Sequence, residues 1–140
     1  MSLPKELLLE VVTPDKLLVR ETVDEVELPG AEGYLGILPG HTPLLGILKV
    51  GEMWYRKGTT RHYLSIAFGF VEVLPDKVTV LAQIAERAED IDLPRAESAR
   101  QRAEARLAKP SPDLDLQRAQ IALAKAMSRL QVAGRSRVHS

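Results

Sequence analysis

Basic side chains at helical spacing are the residues best placed to do chemistry in this 140-residue chain. Arg95, Arg102 and Arg106 are separated by seven and four positions, and so are Arg118, Lys125 and Arg129. Steps of seven and four return to one face of a helix, so each set forms a cationic stripe. Two such helices laid side by side would turn both stripes toward one anion. Arginine forks suit phosphate or carboxylate oxygens, whereas lysine brings charge without the planar fork. Basic stripes also occur as solvated flanks of helices, and spacing alone leaves both readings open.

Other reactive residues are sparse. The chain has no cysteine, which excludes disulfide frameworks, thiolate zinc sites and cysteine nucleophiles. His41, His62 and His139 are scattered, with no carboxylate at ligand spacing, so no metal site is expected. No GxxxxGK[ST] or GxSxG string occurs, and Ser65 stands three residues from His62 without an orienting acid. His41 falls on a turn and likewise has no carboxylate to hold it as a general base. These residues predict a binding or regulatory protein, not an enzyme.

The elements that must position the basic residues are legible in two halves. The net charge of zero conceals a difference: Met1 to Ala85 has 8 Lys/Arg against 11 Asp/Glu, and Glu86 to Ser140 has 11 against 8. The halves therefore carry −3 and +3, and the second suits an acidic partner. No apolar run approaches the ~20 residues that span a bilayer, and Lys5, Glu6 and Glu10 break up the N-terminal apolar stretch, so neither a signal peptide nor a membrane helix is expected.

Residues 1–85 read as β-structure. In LPGAEGYLGILPGHTPLLGIL, residues 28–48, Pro29, Pro39 and Pro43 with Gly30, Gly33, Gly36 and Gly40 forbid a helix and predict short strands joined by tight turns. Leu7 to Thr13 and Leu17 to Arg20 flank a TPDK turn; Val26 and Leu28 alternate with Glu27. Leu44 to Val50, Met53 to Arg56, His62 to Leu74 and the run from Val78 continue the pattern, with Gly69 marking a bend. Short strands with turn signals every 8 to 12 residues predict an antiparallel β-sandwich. About 85 residues form a core but leave little room for an enclosed pocket, so binding is expected on the outer surface.

Residues 86–134 read as an antiparallel helical hairpin. Asp92 caps a helix whose second position is Pro94, and Ala96, Ala99, Ala103 and Leu107 make its apolar stripe. After AKPSPD, Leu116, Ala119, Leu123, Ala126, Leu130 and Ala133 mark a second helix, with Gly134 as its expected cap and 135–140 as a disordered tail. A seam of alanines buries little area, so the hairpin should be weakly held and able to open.

In order along the chain, GYLGILPGHTPLL, PDKVTVLA, IDLPRA and RAQIALAKAMSRL resemble the epsilon subunit family of F-type ATP synthases, from about Leu7 to Ala133. The resemblance implies a non-catalytic central-stalk subunit that couples ring rotation to the catalytic head. It implies docking on the gamma subunit and the c-subunit ring, with Glu32, Tyr34 and His41 near the ring. It also implies a hairpin that extends toward the alpha and beta subunits and restrains ATP hydrolysis, with Arg118, Lys125 and Arg129 meeting acidic residues.

Some members bind ATP through I/L-D-x-x-R-A, matched by Ile91, Asp92, Arg95 and Ala96, with Glu86, Arg102, Lys125 and Arg129 assisting. Lys125 stands where arginine is the pattern. ATP would be a regulatory ligand, and no cofactor is required. The implied location is the cytoplasmic face of the inner membrane, peripheral, with the proton as coupling ion. A stand-alone nucleotide-sensing module would bind ATP without a gamma partner, and a small hydrolase would turn over substrate alone.

Overall fold

The computed structural model describes residues 3–109 and 111–138, the side chains of 136–138 excepted. Seven strands precede two helices: β1 (Leu7–Val12), β2 (Leu17–Val23), β3 (Glu25–Gly30), β4 (Gly33–Ile37), β5 (Leu44–Lys57), β6 (Thr60–Leu74), β7 (Lys77–Arg87), α1 (Leu93–Ala108) and α2 (Leu116–Val138). A short 3-10 turn at Ala88–Asp90 joins β7 to α1.

The strands form one sheet in the order β2-β1-β7-β6-β5-β3-β4. One pairing departs from the expected antiparallel pattern: β1 runs parallel to β7, with Leu9 opposite Val78 and Val11 opposite Val80. The remaining pairings are antiparallel. Pairing between the first and last strands of the domain is a long-range event that hairpin signals do not announce. The sheet folds over on itself as a sandwich, because β2 packs across against β5 and a single apolar cluster draws on all seven strands. Leu7, Leu9, Leu28, Ile37, Met53, Ile66, Val73 and Val78 are all fully buried in it.

Two long strands make this closure feasible, and both bend at the same row. In β6 the core-facing residues are Leu64 and Ile66 before the bend but Val71 and Val73 after it. Alternation cannot survive that change of parity unless the backbone breaks its regular conformation. It does so at Phe68 and Gly69, with φ of 63° and 138°. Only glycine fits the second position, where a Cβ would collide with the Leu81 carbonyl. β5 switches in the same way, from Leu48 to Met53 and Tyr55, without interruption at Gly51, so the two strands expected there are one.

The bend divides the outer face of the sheet. On one side Glu52, Ser65 and Glu86 lie under α2; on the other Ile47, Phe70 and Leu81 stand in register across β5, β6 and β7, more than half exposed.

α1 starts as expected: Asp92 is the cap, its Oδ1 accepting the Arg95 amide at 3.1 Å, and Pro94 lies in the first turn. Ala96, Ala103, Ala119 and Ala126 are buried along the seam, whereas Leu116 is exposed. α2 is the inner helix, packed on β5 and β6, with α1 packed on α2. Ile91, Ala96, Val132 and Ala133 with Ala88 form a second, smaller cluster.

Two expected boundaries move. β7 continues two residues past Ala85, to Arg87. α2 does not stop at Gly134 but runs to Val138, because Gly134 keeps a negative φ instead of the left-handed cap conformation and Arg135 is held on Glu52. The tail expected at 135–140 therefore begins as helix, and 139–140 lie outside the described residues.

Candidate functional site between hairpin and sheet

The two cationic stripes converge only in part. A cleft of about 440 Å³ opens between the hairpin and the sheet, floored by Ser65 and Ala67 of β6 and by Ile84 and Glu86 of β7. Arg95 and Ala99 of α1 form one wall; Ala122, Lys125, Ala126 and Arg129 of α2 form the other. The alanines give the volume: larger side chains at these positions would fill it. Three cations and one carboxylate line the cleft, leaving a net charge of +2.

Its charges are already partly engaged. Arg129 Nε lies 2.7 Å from Glu86 Oε1, and its Nη2 donates to Oε2 at 3.1 Å. Lys125 Nζ sits 5.7 Å from the centre of the Phe68 ring, whose strained φ places the ring beside α2. An anion entering the cleft would meet Arg95 and Lys125 directly and would compete with Glu86 for Arg129.

The structure brings Glu86, Arg95, Lys125 and Arg129 together and gives the other expected binding residues different work. Asp92 holds the first turn of α1, Ile91 and Ala96 are buried in the smaller cluster, and Arg102 is exposed on α1 beyond the cleft. Within the Ile91-Asp92-x-x-Arg95-Ala96 string, three residues therefore build the helix start and Arg95 alone faces the cavity.

The residues expected at partners are spread over the surface. Glu32 and Tyr34 line a groove of about 500 Å³ with Leu45 and Ile47. His41 lies in the following loop, its Nδ1 2.6 Å from the Thr42 carbonyl oxygen and so donating to it. Arg118 is exposed on the first turn of α2, in a shallow site with Arg106, Asp113 and Asp115. Seven residues of helix, or about 10 Å, separate it from Lys125.

Sequence reasoning missed the contacts that seat α2. Ser65 Oγ and Ser128 Oγ are 2.9 Å apart and buried. Arg135 forks onto Glu52, Nε to Oε2 at 3.0 Å and Nη2 to Oε1 at 3.3 Å, and its guanidinium lies 5.3 Å from the Tyr63 ring centre. That carboxylate and its hydrogen bonds push the Arg135 pKa further up. The one available signal was Ser128 and Arg135 seven apart on a helix, which says nothing of their partners. His62 stacks on Tyr55 at 4.9 Å on the face opposite Ser65, so the two form no catalytic pair.

Comparison with known proteins covers both halves. A family model described as ATP synthase, Delta/Epsilon chain, beta-sandwich domain matches residues 6–88, and one described as the long alpha-helix domain of the same chain matches 89–134. The ATP synthase epsilon chain of Koribacter versatilis is 55% identical over 98 residues, covering 70% of this chain and 69% of that one. That of Nitratidesulfovibrio vulgaris is 52% identical over 103 residues, covering 74% and 77%.

Among solved structures, a chain of the Euglena gracilis mitochondrial ATP synthase (OSCP/F1/c-ring) superposes with a TM-score of 0.82 at 24% identity, over 95% of this chain and 84% of that one. One from the Tetrahymena thermophila central stalk and c-ring gives 0.55 at 14%, over 96% and 98%. At those identities the likeness is one of fold. The family models and the relatives together carry the assignment: this chain belongs to the ATP synthase delta/epsilon family, as an epsilon subunit of the bacterial type.

Proposed function

We propose that the chain is a non-catalytic rotor subunit whose sheet domain docks on the gamma subunit and the c-subunit ring of a proton-translocating ATP synthase, while its hairpin acts as a releasable, ATP-sensitive brake on ATP hydrolysis. The observation that carries this reading is the alanine-walled cleft, where Arg95, Lys125 and Arg129 from two helices face one volume that exists only while the hairpin is folded. A ligand that fills the cleft binds the folded hairpin alone and shifts the population toward it by its differential affinity.

The surface of the sheet supports the docking half. The apolar row Ile47, Phe70 and Leu81 is uncovered, and the groove at Glu32 and Tyr34 continues from it through Leu45. Contiguous exposed apolar area of this kind marks a protein partner. The row suits gamma and the groove suits the ring. On release, Arg118, Lys125 and Arg129 become available together as a cationic face for the acidic surface of the beta subunit, with alpha beside it. The subunit is then peripheral, held at the cytoplasmic face of the inner membrane through the complex; no described helix is long and apolar enough to cross a bilayer.

Calorimetric titration of the full chain with ATP tests the ligand. Saturable binding, abolished in Arg95→Ala and weakened about tenfold or more in Arg129→Ala, is expected, since losing one charge-assisted contact costs about 1.5 to 3 kcal/mol. No heat up to about millimolar ATP, a free energy near 4 kcal/mol, would refute the ligand role. Association with purified gamma separates the rotor subunit from a stand-alone sensor: binding lost in Phe70→Glu is expected, and no association in the parent chain would refute docking.

A further inference from the structure

Glu52, Ser65 and Glu86 are neighbours in register across β5, β6 and β7, because Ser65 pairs with Glu52 on one side and with Glu86 on the other. Each grips a polar residue of α2: Glu52 takes Arg135, Ser65 takes Ser128, and Glu86 takes Arg129. The three grips span residues 128 to 135, about two turns of helix. Apolar area adds little there, since the buried residues of α2 beside them are Ala126, Val132 and Ala133. A polar row of this kind fixes the axial position and rotation of a helix more than it adds net stability, because both charges of a pair regain water on release. Its two ends differ: Glu86 and Arg129 line the cleft, whereas Glu52 and Arg135 lie outside it.

We propose that this row is a three-point latch on α2, and that its outer grip, Glu52 with Arg135, sets how often the hairpin opens without touching the ligand cleft. The inference rests on the releasable hairpin proposed above. Glu52 and Arg135 are positioning residues: by holding the end of α2 they keep Lys125 and Arg129 opposite Arg95.

The geometry makes the two sides of the pair unequal. The Glu52 side chain is 10% exposed and that of Arg135 is 44% exposed. Removing the arginine strands a carboxylate under the helix, which disfavours the closed hairpin strongly; removing the carboxylate leaves a guanidinium that water can reach. The pair therefore predicts an asymmetry that a generic loss of packing would not give.

Hydrogen exchange of the full-length chain, without ATP or other subunits, reads the latch. Arg135→Ala should speed exchange of the α2 amides about tenfold or more, Glu52→Gln about threefold, and the charge-reversed pair Glu52→Arg with Arg135→Glu should return it toward the parent rate. A tenfold change corresponds to about 1.4 kcal/mol. Amides of β1 and β7 should be unchanged in all three, which guards against general misfolding. Parent-like α2 exchange in both single variants, or no recovery in the reversed pair with the sheet intact, would overturn the latch. If the latch variants open as expected but restrain ATP hydrolysis no differently in the assembled enzyme, the latch stands and the brake fails.

Discussion

The sheet and the hairpin use opposite means to hold a shape. The sheet buries Leu, Ile, Val, Met and Tyr side chains completely, in one cluster shared by every strand. The hairpin buries alanines along its seam and rests on the sheet through two ion pairs, a serine pair and the small apolar cluster around Ile91 and Val132. At about 25 cal/mol per Å², a leucine core contributes several times what an alanine seam does, and polar grips regain much of their energy from water when they part. The difference suits the proposed function, in which one short chain supplies both a fixed element and a releasable one: the sheet carries its own core, while the hairpin depends on the sheet for its seat.

Substitutions that reduce packing should separate the two regions most sharply. Leu28→Ala, at a fully buried site shared by β3 and the central cluster, should cost about 3 kcal/mol and unfold sheet and hairpin together, because the hairpin then loses its seat. A denaturation midpoint unchanged in this variant would mean that the core is not where the stability lies.

A smaller effect is expected from overfilling the seam. Ala103 is buried on the α1–α2 seam away from the cleft, and Ala103→Leu should oppose hairpin closure by about 1 to 3 kcal/mol while leaving the unfolding midpoint of the sheet in place. Loss of the sheet midpoint in that variant would erase the distinction between frame and appendage.

The smallest effects are electrostatic, and they differ in sign. Burial and a hydrogen bond to Glu21 push the Tyr55 phenol up to about 12. A raised pKa in an acid means the folded state holds its proton, so this contribution is complete below pH 10 and is lost as pH rises from about 10 to 12. The sheet should weaken over that window, less so in Tyr55→Phe. On α1 the hydrogen bond from Arg100 lowers the Glu97 pKa; that contribution is present above the ordinary carboxylate range and is lost as pH falls through the lowered value. The Glu97 side chain is 42% exposed, so water screens the pair and acid should loosen α1 only slightly, and Glu97→Gln should remove that part of the pH dependence.

Local patterns made much of this architecture legible. Asp92 and Pro94 announced the start of α1 because capping depends on residues three apart, and the alanine stripes announced the seam because helical periodicity is local. The convergence of Arg95, Lys125 and Arg129 followed from the same periodicity once the helices were laid antiparallel. What escaped was long-range. Glu52 and Arg135 are 83 positions apart, and nothing in either neighbourhood names the other. The parallel pairing of β1 with β7 spans nearly the whole domain. Gly134 misled because glycine permits a left-handed cap without requiring one, and the hold on Arg135 settles the matter in favour of helix. The bend at Phe68 was visible only as Gly69; its consequence, a change of the buried face in two strands, needed the register.

Native-state hydrogen exchange on the unmodified full chain tests the central claim most directly. If the hairpin opens from an intact frame, amides of α1 and α2 should exchange at least about 100-fold faster than those of β1, β6 and β7, a gap of roughly 2.7 kcal/mol, and with little dependence on denaturant. Saturating ATP should narrow the gap by slowing the helices alone. Exchange of helices and strands at one common rate, with the same denaturant dependence, would show that the hairpin opens only when the whole molecule unfolds and would contradict the account.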